Sequence, residues 1–256
     1  MRAWVGVLLV AVAMPAWAQQ DESETPAFDR PGLGFAASVL PGGGVALELG
    51  LPDYQRERDE ARTRSSEYGT DVRLRVGLGA QIELQVFGSP RNHLREAPRD
   101  GPATTSRGAG DSGLAVKFGL PLHSDRHAVA LLASSSFGTG SRDFSEGGTQ
   151  YELGASYEYT FNERWSAALY GNATRGAGKD AFIWSPSATL AVSDTFSAYI
   201  EAGFTHTDGE SSTSVAGAGL TWMPADRVQL DASFDLGLDR NSPDLQAGLG
   251  VSFYFD

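Results

Sequence analysis

The segment from Gln150 to Phe161 alternates between apolar residues and polar or small ones. The apolar positions are Tyr151, Leu153, Ala155, Tyr157, Tyr159 and Phe161. Successive side chains of a β-strand point to opposite faces, so the segment is predicted to be a strand with one apolar and one polar face. A soluble sheet would show the same alternation as a membrane-spanning sheet, so this segment alone does not distinguish a soluble protein from a membrane protein.

The same alternation recurs from Val45 to the end of the chain. Val72–Leu78 and Val228–Leu238 are clear examples, with apolar residues at every second position. Alternating segments of about 10 residues separated by turn residues are typical of transmembrane β-barrels. The sequence therefore predicts an all-β fold, a closed antiparallel transmembrane β-barrel of about 12 strands, over residues 45–256. A soluble β-sandwich is the alternative interpretation.

The connections between the predicted strands alternate in length. The short ones are residues 79–80, 121–126, 162–164, 193–195 and 224–226. The longer, polar ones are residues 52–70, 88–110, 138–148, 175–180, 206–214 and 239–244. Outer-membrane barrels have short periplasmic turns and longer outer loops. This sorting favours the membrane barrel and predicts that both termini are periplasmic.

The first residues have the pattern of a secretory signal peptide. Arg2 is followed by an apolar run from Ala3 to Met14 and by Ala16-Trp17-Ala18. A basic start, a short apolar core and an A-x-A site predict cleavage after Ala18. We therefore expect residues 1–18 to be removed, residues 19–44 to form a periplasmic or lumenal segment, and the barrel to lie in the cell outer membrane.

Composition excludes several classes of function. The chain has no cysteine, which excludes a disulfide framework, thiolate catalysis and cysteine-ligated metal. Its formal net charge of −12 argues against nucleic-acid binding, which needs a basic face. The four histidines lack a metal-binding spacing, so we expect no metal, no cofactor and no catalytic residues. The Gly108–Gly113 match to G-x-G-x-x-G precedes a predicted strand rather than a helix, unlike a dinucleotide site.

Charged residues at inward positions of the predicted strands are the candidate lumen lining. They are Glu48, Arg73, Arg75, Glu83, Lys117, Glu152, Glu158, Glu201, Asp231 and Asp235. Opposite charges on adjacent strands attract, and we expect Glu48 and Glu83 to flank Arg73 and Arg75. The set fits a polar conduit or a filled, ion-paired interior. Small barrels fill their interior and barrels of about 16 strands open channels, so a barrel of about 12 strands leaves both interpretations open.

The Asp29-Arg30-Pro31 sequence precedes the first predicted strand. These three residues are a candidate plug that folds into the lumen, and a periplasmic tether is the alternative. The predicted loops at 52–70 and 88–110 are rich in arginine, which matches phosphate geometry and favours contact with lipopolysaccharide. Solvated loops with compensating acidic residues are the other interpretation.

Several stretches resemble the outer-membrane family labelled "MetA-pathway of phenol degradation". They are Phe28–Gly32, Leu40–Gly50, Leu74–Leu84 and Gly110–Phe118. The resemblance implies an outer-membrane barrel that acts as a transporter, and it implies no catalytic residues. The chain departs from the usual barrel ending because Asp256 follows Phe255. Gly250, Phe253 and Phe255 keep the spacing of the assembly signal, so we expect recognition by the barrel-assembly machinery.

The leading functional hypothesis is passage of small solutes through the barrel, aromatic or hydrophobic ones as the resemblance implies. The expected partners are outer-membrane lipid, lipopolysaccharide, the assembly machinery and a small-molecule solute. One alternative is a non-conducting structural or surface-interaction barrel. Another is an outer-membrane hydrolase built on His206 with Asp208 and Glu210, because an Asp–His pair can activate water.

Overall fold

The computed structural model describes residues 26–58 and 63–256 of the chain. The predicted signal peptide, residues 1–18, lies outside the described residues. None of the helices found in the described part has the length and the apolar character needed to cross a membrane.

β-Strands form nearly all of the regular structure in this part of the chain, together with one 3-10 turn at Arg142–Phe144. The strands are β1 (Val45–Arg58), β2 (Arg64–Gly77), β3 (Ile82–Ala97), β4 (Thr104–Gly108), β5 (Ser112–Gly119), β6 (His127–Phe137), β7 (Gln150–Asn162), β8 (Trp165–Gly176), β9 (Ala181–Ser193), β10 (Phe196–Thr207), β11 (Thr213–Ala225), β12 (Val228–Gly237) and β13 (Leu245–Phe255).

The strands form one closed antiparallel sheet. β1 pairs with both β2 and β13, and the pairing of β2 with β3 completes the ring. The short strand β4 and strand β5 both pair with β3, so they are two pieces of one wall strand. Thirteen strands minus this one duplication give a 12-stranded barrel, which confirms the predicted fold. Closure leaves no unpaired edge to face lipid.

The alternating residues face lipid and lumen as the pattern predicts. Leu153 is 70% exposed, Ile200 is 64% exposed and Leu249 is 54% exposed, and each of them points outward. Polar neighbours such as Ser156 and Glu201 are buried inside the barrel. A broad apolar exterior around a polar interior is the reverse of a soluble domain and requires a lipid surrounding.

Aromatic side chains collect near both ends of the wall. At the short-turn end the Tyr159 ring lies 4.8 Å from that of Phe161. At the long-loop end the Trp184 and Phe204 rings stack with centroids 4.3 Å apart. Two aromatic girdles are expected where a barrel meets the two membrane interfaces.

Two of the predicted long loops are largely strand, which corrects the sequence-based boundaries. β1 continues to Arg58 and pairs with β2 from Arg64, while β3 continues to Ala97 and pairs with β4. Above the membrane neither face of a strand needs to be apolar, so the alternation that marks the wall strands is lost there. A register shift between Gly50 and Asp53 further interrupts the pattern.

Candidate functional site: the barrel lumen

Residues 26–44, called the N-terminal segment below, run through the inside of the barrel. The Leu40 amide donates to Glu83 Oε2 at 2.8 Å, and the Leu33 amide donates to Glu201 Oε2 at 3.0 Å. Glu83 belongs to β3 and Glu201 to β10, which lie on opposite sides of the ring. The N-terminal segment therefore crosses the lumen and is held at both walls.

An ion-pair cluster of five residues joins the N-terminal segment to four wall strands, β1, β2, β3 and β5. It consists of Asp29 with Glu48, Arg75, Glu83 and Lys117, and all four wall side chains are fully buried. Asp29 accepts from Lys117 Nζ at 2.6 Å and lies 3.5 Å from Arg75 Nη1. Arg75 contacts Glu48 and Glu83, each at 2.7 Å. Buried charges are tolerated only when paired in this way.

Backbone groups add to this attachment. The amides of Asp29 and Arg30 donate to the two carboxylate oxygens of Glu48, at 3.0 and 2.9 Å. Arg75 also donates to the carbonyl oxygen of Ala27 at 3.1 Å. Glu48 thus accepts hydrogen bonds both from Arg75 in the wall and from the backbone of the N-terminal segment. These bonds fix the position of that backbone.

Arg30 makes a second set of contacts further along the N-terminal segment. Its guanidinium lies 3.2 Å from Asp53 and 3.4 Å from Asp231. Gln229 Nε2 donates to its carbonyl oxygen at 2.9 Å. These contacts tie β1 and β12 to the same residue, while Pro31 follows in the turn of the segment. The three candidate plug residues, Asp29, Arg30 and Pro31, therefore all lie within the lumen.

The other predicted lining residues are spread around the wall rather than gathered at one point. Arg73 donates to Gln85 Oε1 at 2.8 Å instead of being flanked by the two glutamates, a position that Arg75 occupies. Glu152 accepts from Asn172 Nδ2 at 2.8 Å. Glu158 lines a cavity at the short-turn end.

Several residues that line the lumen are not predicted from the sequence pattern. Asp53 and Glu67 fall in a stretch predicted as loop, and Asp71 directly precedes a predicted strand; all three line the lumen. The shift in register at Gly50 and Asp53 hides the inward face there. Polar residues continuing at every second position beyond the apolar part of a strand are the signal that would have found them.

In the described part of the chain, the N-terminal segment borders an outer, a middle and an inner cavity. The outer cavity, toward the long loops, has a volume of about 440 Å³ and is lined by residues such as Asp53, Asp71 and Asp235. The middle cavity, of about 210 Å³, is lined by Phe35, Phe87, Tyr170 and charged neighbours. The inner cavity, toward the short turns, has a volume of about 300 Å³ and a lining rich in serine and threonine.

Two carboxylates organise the outer loops. Asp239 accepts from Ser214 Oγ at 2.7 Å and from the amides of Asn241 and Ser242. The Ser214 hydroxyl, with those amides, lowers the pKa of Asp239 to about 2. Partial desolvation raises the pKa of Asp111, but hydrogen bonds from the loop at residues 139–146 outweigh it and the pKa is lowered.

Of the predicted hydrolase residues, His206 is too far from Asp208 for a hydrogen bond, and its Nδ1 lies 3.1 Å from Ser212 Oγ. His206 lies at the outer end of β10, not in a loop, and its Nε2 is 3.9 Å from Asp208 Oδ1. A base and the group that orients it need hydrogen-bond contact, at about 2.6–3.2 Å. Within residues 26–58 and 63–256, no group of three or more acidic, histidine or cysteine side chains is placed to hold a metal ion.

Solved structures with the same fold are outer-membrane proteins. The COG4313 outer-membrane channel from Pseudomonas putida F1 matches with a TM-score of 0.72 and 15% identity, covering 88% of this chain and 99% of the channel. The NanC porin matches with a TM-score of 0.52 and 10% identity over 79% of this chain and 98% of the porin. The translocator domain of the autotransporter NalP from Neisseria meningitidis matches with a TM-score of 0.54 and 11% identity, covering 84% of this chain and 90% of the translocator domain.

These likenesses show the fold and agree with the predicted outer-membrane location. A comparison with curated protein sequences finds no match. A family model described as "Putative MetA-pathway of phenol degradation" matches residues 28–255, and the chain therefore belongs to this family of outer-membrane barrels, as the sequence motifs indicated.

Proposed function

We propose that the barrel is an outer-membrane channel for small solutes, and that the N-terminal segment closes it. One observation carries the proposal. Arg30, Pro31 and Gly32 line both the outer and the inner cavity. The partition between the two cavities is thus a separate piece of chain rather than the barrel wall, and its displacement would join them into one passage.

The way in which the partition is held suits a gate. Its attachment relies on ion pairs and on hydrogen bonds from backbone amides to wall carboxylates, at Glu48, Glu83 and Glu201. Polar contacts of this kind can be exchanged for contacts with water as the segment moves. The wall strands keep their own hydrogen bonds whether or not the segment is in place.

The interior also offers surfaces for an aromatic solute. Phe35 and Tyr170 meet edge to face at 5.4 Å beside the middle cavity. Arg73 lies over the Phe87 ring at 5.5 Å in the same cavity. The family description refers to phenol degradation, and rings with polar neighbours are suited to a small aromatic molecule that carries a hydroxyl.

Single-channel recording in planar lipid bilayers tests this proposal. A variant that lacks residues 26–38 keeps all wall strands and should conduct several times more current than the full chain. A variant that lacks residues 98–103, in the outer connection between β3 and β4, is the control and should conduct like the full chain. A folded deletion variant with no conductance above background would favour the non-conducting structural barrel instead.

A further inference from the structure

We propose that the outer cavity binds a small organic cation, such as an alkyl- or arylammonium ion. The inference rests on the proposed channel function, since it assigns to the outer cavity the first binding site that a solute from outside would reach. It goes further by naming the charge class of that solute.

The charges of the outer cavity are unbalanced. Four carboxylates, from Asp53, Glu67, Asp71 and Asp235, line it, while among the described lining residues Arg30 is the one cationic side chain. Arg30 is already paired with Asp53 and with Asp231 behind it. Among the described residues, Glu67, Asp71 and Asp235 form no ion pair with an arginine or lysine, in a lumen where charge interactions are less screened than at a surface.

Asp235 points most directly to a ligand. Asp235 lines the outer cavity, the residue is only 7% exposed, and its shielded Oδ1, beside Gly217, has no hydrogen-bond partner among the described residues. Glu48 and Glu83, which are fully buried, each have an arginine in contact. Burying a carboxylate without a partner is costly, so a cation from solution gains a strong interaction there.

The arrangement suits an organic ion better than a metal ion. The acidic side chains of the described chain nowhere converge in a group able to coordinate a metal. The outer cavity, at about 440 Å³, has the size of a pocket for a small molecule. Uncharged groups of Ser89, Asn92 and Gln246 also line it and can accept hydrogen bonds from an ammonium group.

Isothermal titration calorimetry of the detergent-solubilised full chain tests the site with two probes of opposite charge. Benzylammonium and phenylmethanesulfonate share a benzyl group and carry opposite charges at neutral pH, and the ammonium group can donate hydrogen bonds. We expect saturable binding of the cation and none of the anion. Asp235→Asn, which keeps the shape of the side chain, should weaken cation binding about tenfold, equivalent to about 1.4 kcal/mol. Asp194→Asn, an exposed acid in the short turn between β9 and β10 that does not line the cavity, should leave it unchanged.

The outcomes separate this inference from the proposed function. Equal binding of both probes, or equal cation affinity in Asp235→Asn and the full chain, would overturn the cation site. Because the titration requires no conduction, cation binding that depends on Asp235 in a protein without conductance would support the site and overturn the channel. A protein that conducts but binds both probes equally would support the channel and overturn the cation site.

Discussion

Lys117 Nζ donates to Asp29 Oδ1 at 2.6 Å, joining β5 to the N-terminal segment across 88 positions of sequence. Both side chains are buried, and the Lys117 ammonium also lies 5.1 Å from the centre of the Phe35 ring. One wall residue thus contacts the N-terminal segment at two points. This makes Lys117 the most direct place to loosen the segment without altering it.

Lys117→Met should raise the frequency of channel opening several-fold in planar bilayers. Methionine keeps much of the apolar volume of the lysine side chain but removes the ammonium group. Asp29 then loses its partner at 2.6 Å and retains the longer contact with Arg75, at 3.5 Å. Lys179→Met, in an exposed outer position, is the matched control and should gate like the full chain. Identical gating of the two variants would show that the ion pair does not restrain the segment.

Arg75→Met should lower the free energy of unfolding by about 3–5 kcal/mol. The physical reason is that Asp29, Glu48 and Glu83 lose the cation they share, and none of them can reach water. Urea unfolding in lipid vesicles, followed by tryptophan fluorescence, measures the change. Arg99→Met, at an exposed turn, should stay within about 0.5 kcal/mol of the full chain.

Gly77→Ala should displace the entry of the N-terminal segment. A Cβ atom at Gly77 would overlap the carbonyl oxygen of Pro41 and lie 2.6 Å from that of Leu40. Either the backbone shifts or the hydrogen bond from Gly43 N to Gly77 O at 2.9 Å is lost. We expect a loss of about 1–3 kcal/mol in stability, by analogy with an overfilled core, and a higher conductance.

Gly79→Ala is the control for that substitution. A Cβ atom at Gly79 meets nothing within 4 Å, so stability and conductance should match those of the full chain. If both alanine variants behave alike, the close approach of the segment to β2 has no role in closing the lumen.

Ile200→Arg should make the free energy of folding into the membrane less favourable by about 2–4 kcal/mol, because Ile200 faces lipid near the middle of β10. Val192→Arg, equally outward but next to the short turn after β9, should cost only about 0–1 kcal/mol because the charge can reach the interface. Folding yields into lipid vesicles over a urea series compare the two. Equal costs would place the membrane plane elsewhere on the wall.

The loop that follows β12 should loosen in acid. The pKa of Asp239 in the folded protein is about 2, below its ordinary value of 3.8. A depressed pKa means that its stabilising contribution is complete above about pH 4 and is lost as the pH falls through 2. Hydrogen exchange at Asn241 and Ser242, compared with Asp239→Ala at each pH, should show protection disappearing over that window. Protection that is the same in both proteins at neutral pH would contradict this role.

The wall of the barrel could be predicted from sequence because lipid acts on every second residue. Residues such as Leu153 and Ile200 must be apolar, and the short turns divide their strands cleanly. Beyond the membrane that constraint ends, which is why the sequence predicts loop for the outer halves of β1 and β2. The bulge at Gly50 and Asp53 has no signature in hydrophobicity, since it changes register without changing composition.

Part of the charged interior could be predicted from the sequence, but the partners of its residues could not. Inward positions identified Glu48, Arg75 and Lys117 as charged and buried. Nothing in the periodicity indicated that Asp29 would complete their charge balance, because the N-terminal segment is irregular and its position depends on contacts with distant strands. The strand register sets Glu48 opposite Arg73, but the length and direction of the side chains bring Glu48 into contact with Arg75.

The contact between Arg30 and Asp231 spans 201 positions of sequence, which has a consequence for how the molecule is made. A chain translocated from its N-terminus presents Arg30 early, yet β12 and β13 arrive last. The arginine can meet its aspartate only once β12 is in place, whereas Asp29 meets Arg75 and Lys117 on strands that come early in the chain. A barrel that stalls before β12 joins would hold the segment at Asp29 and lack its second anchor at Arg30.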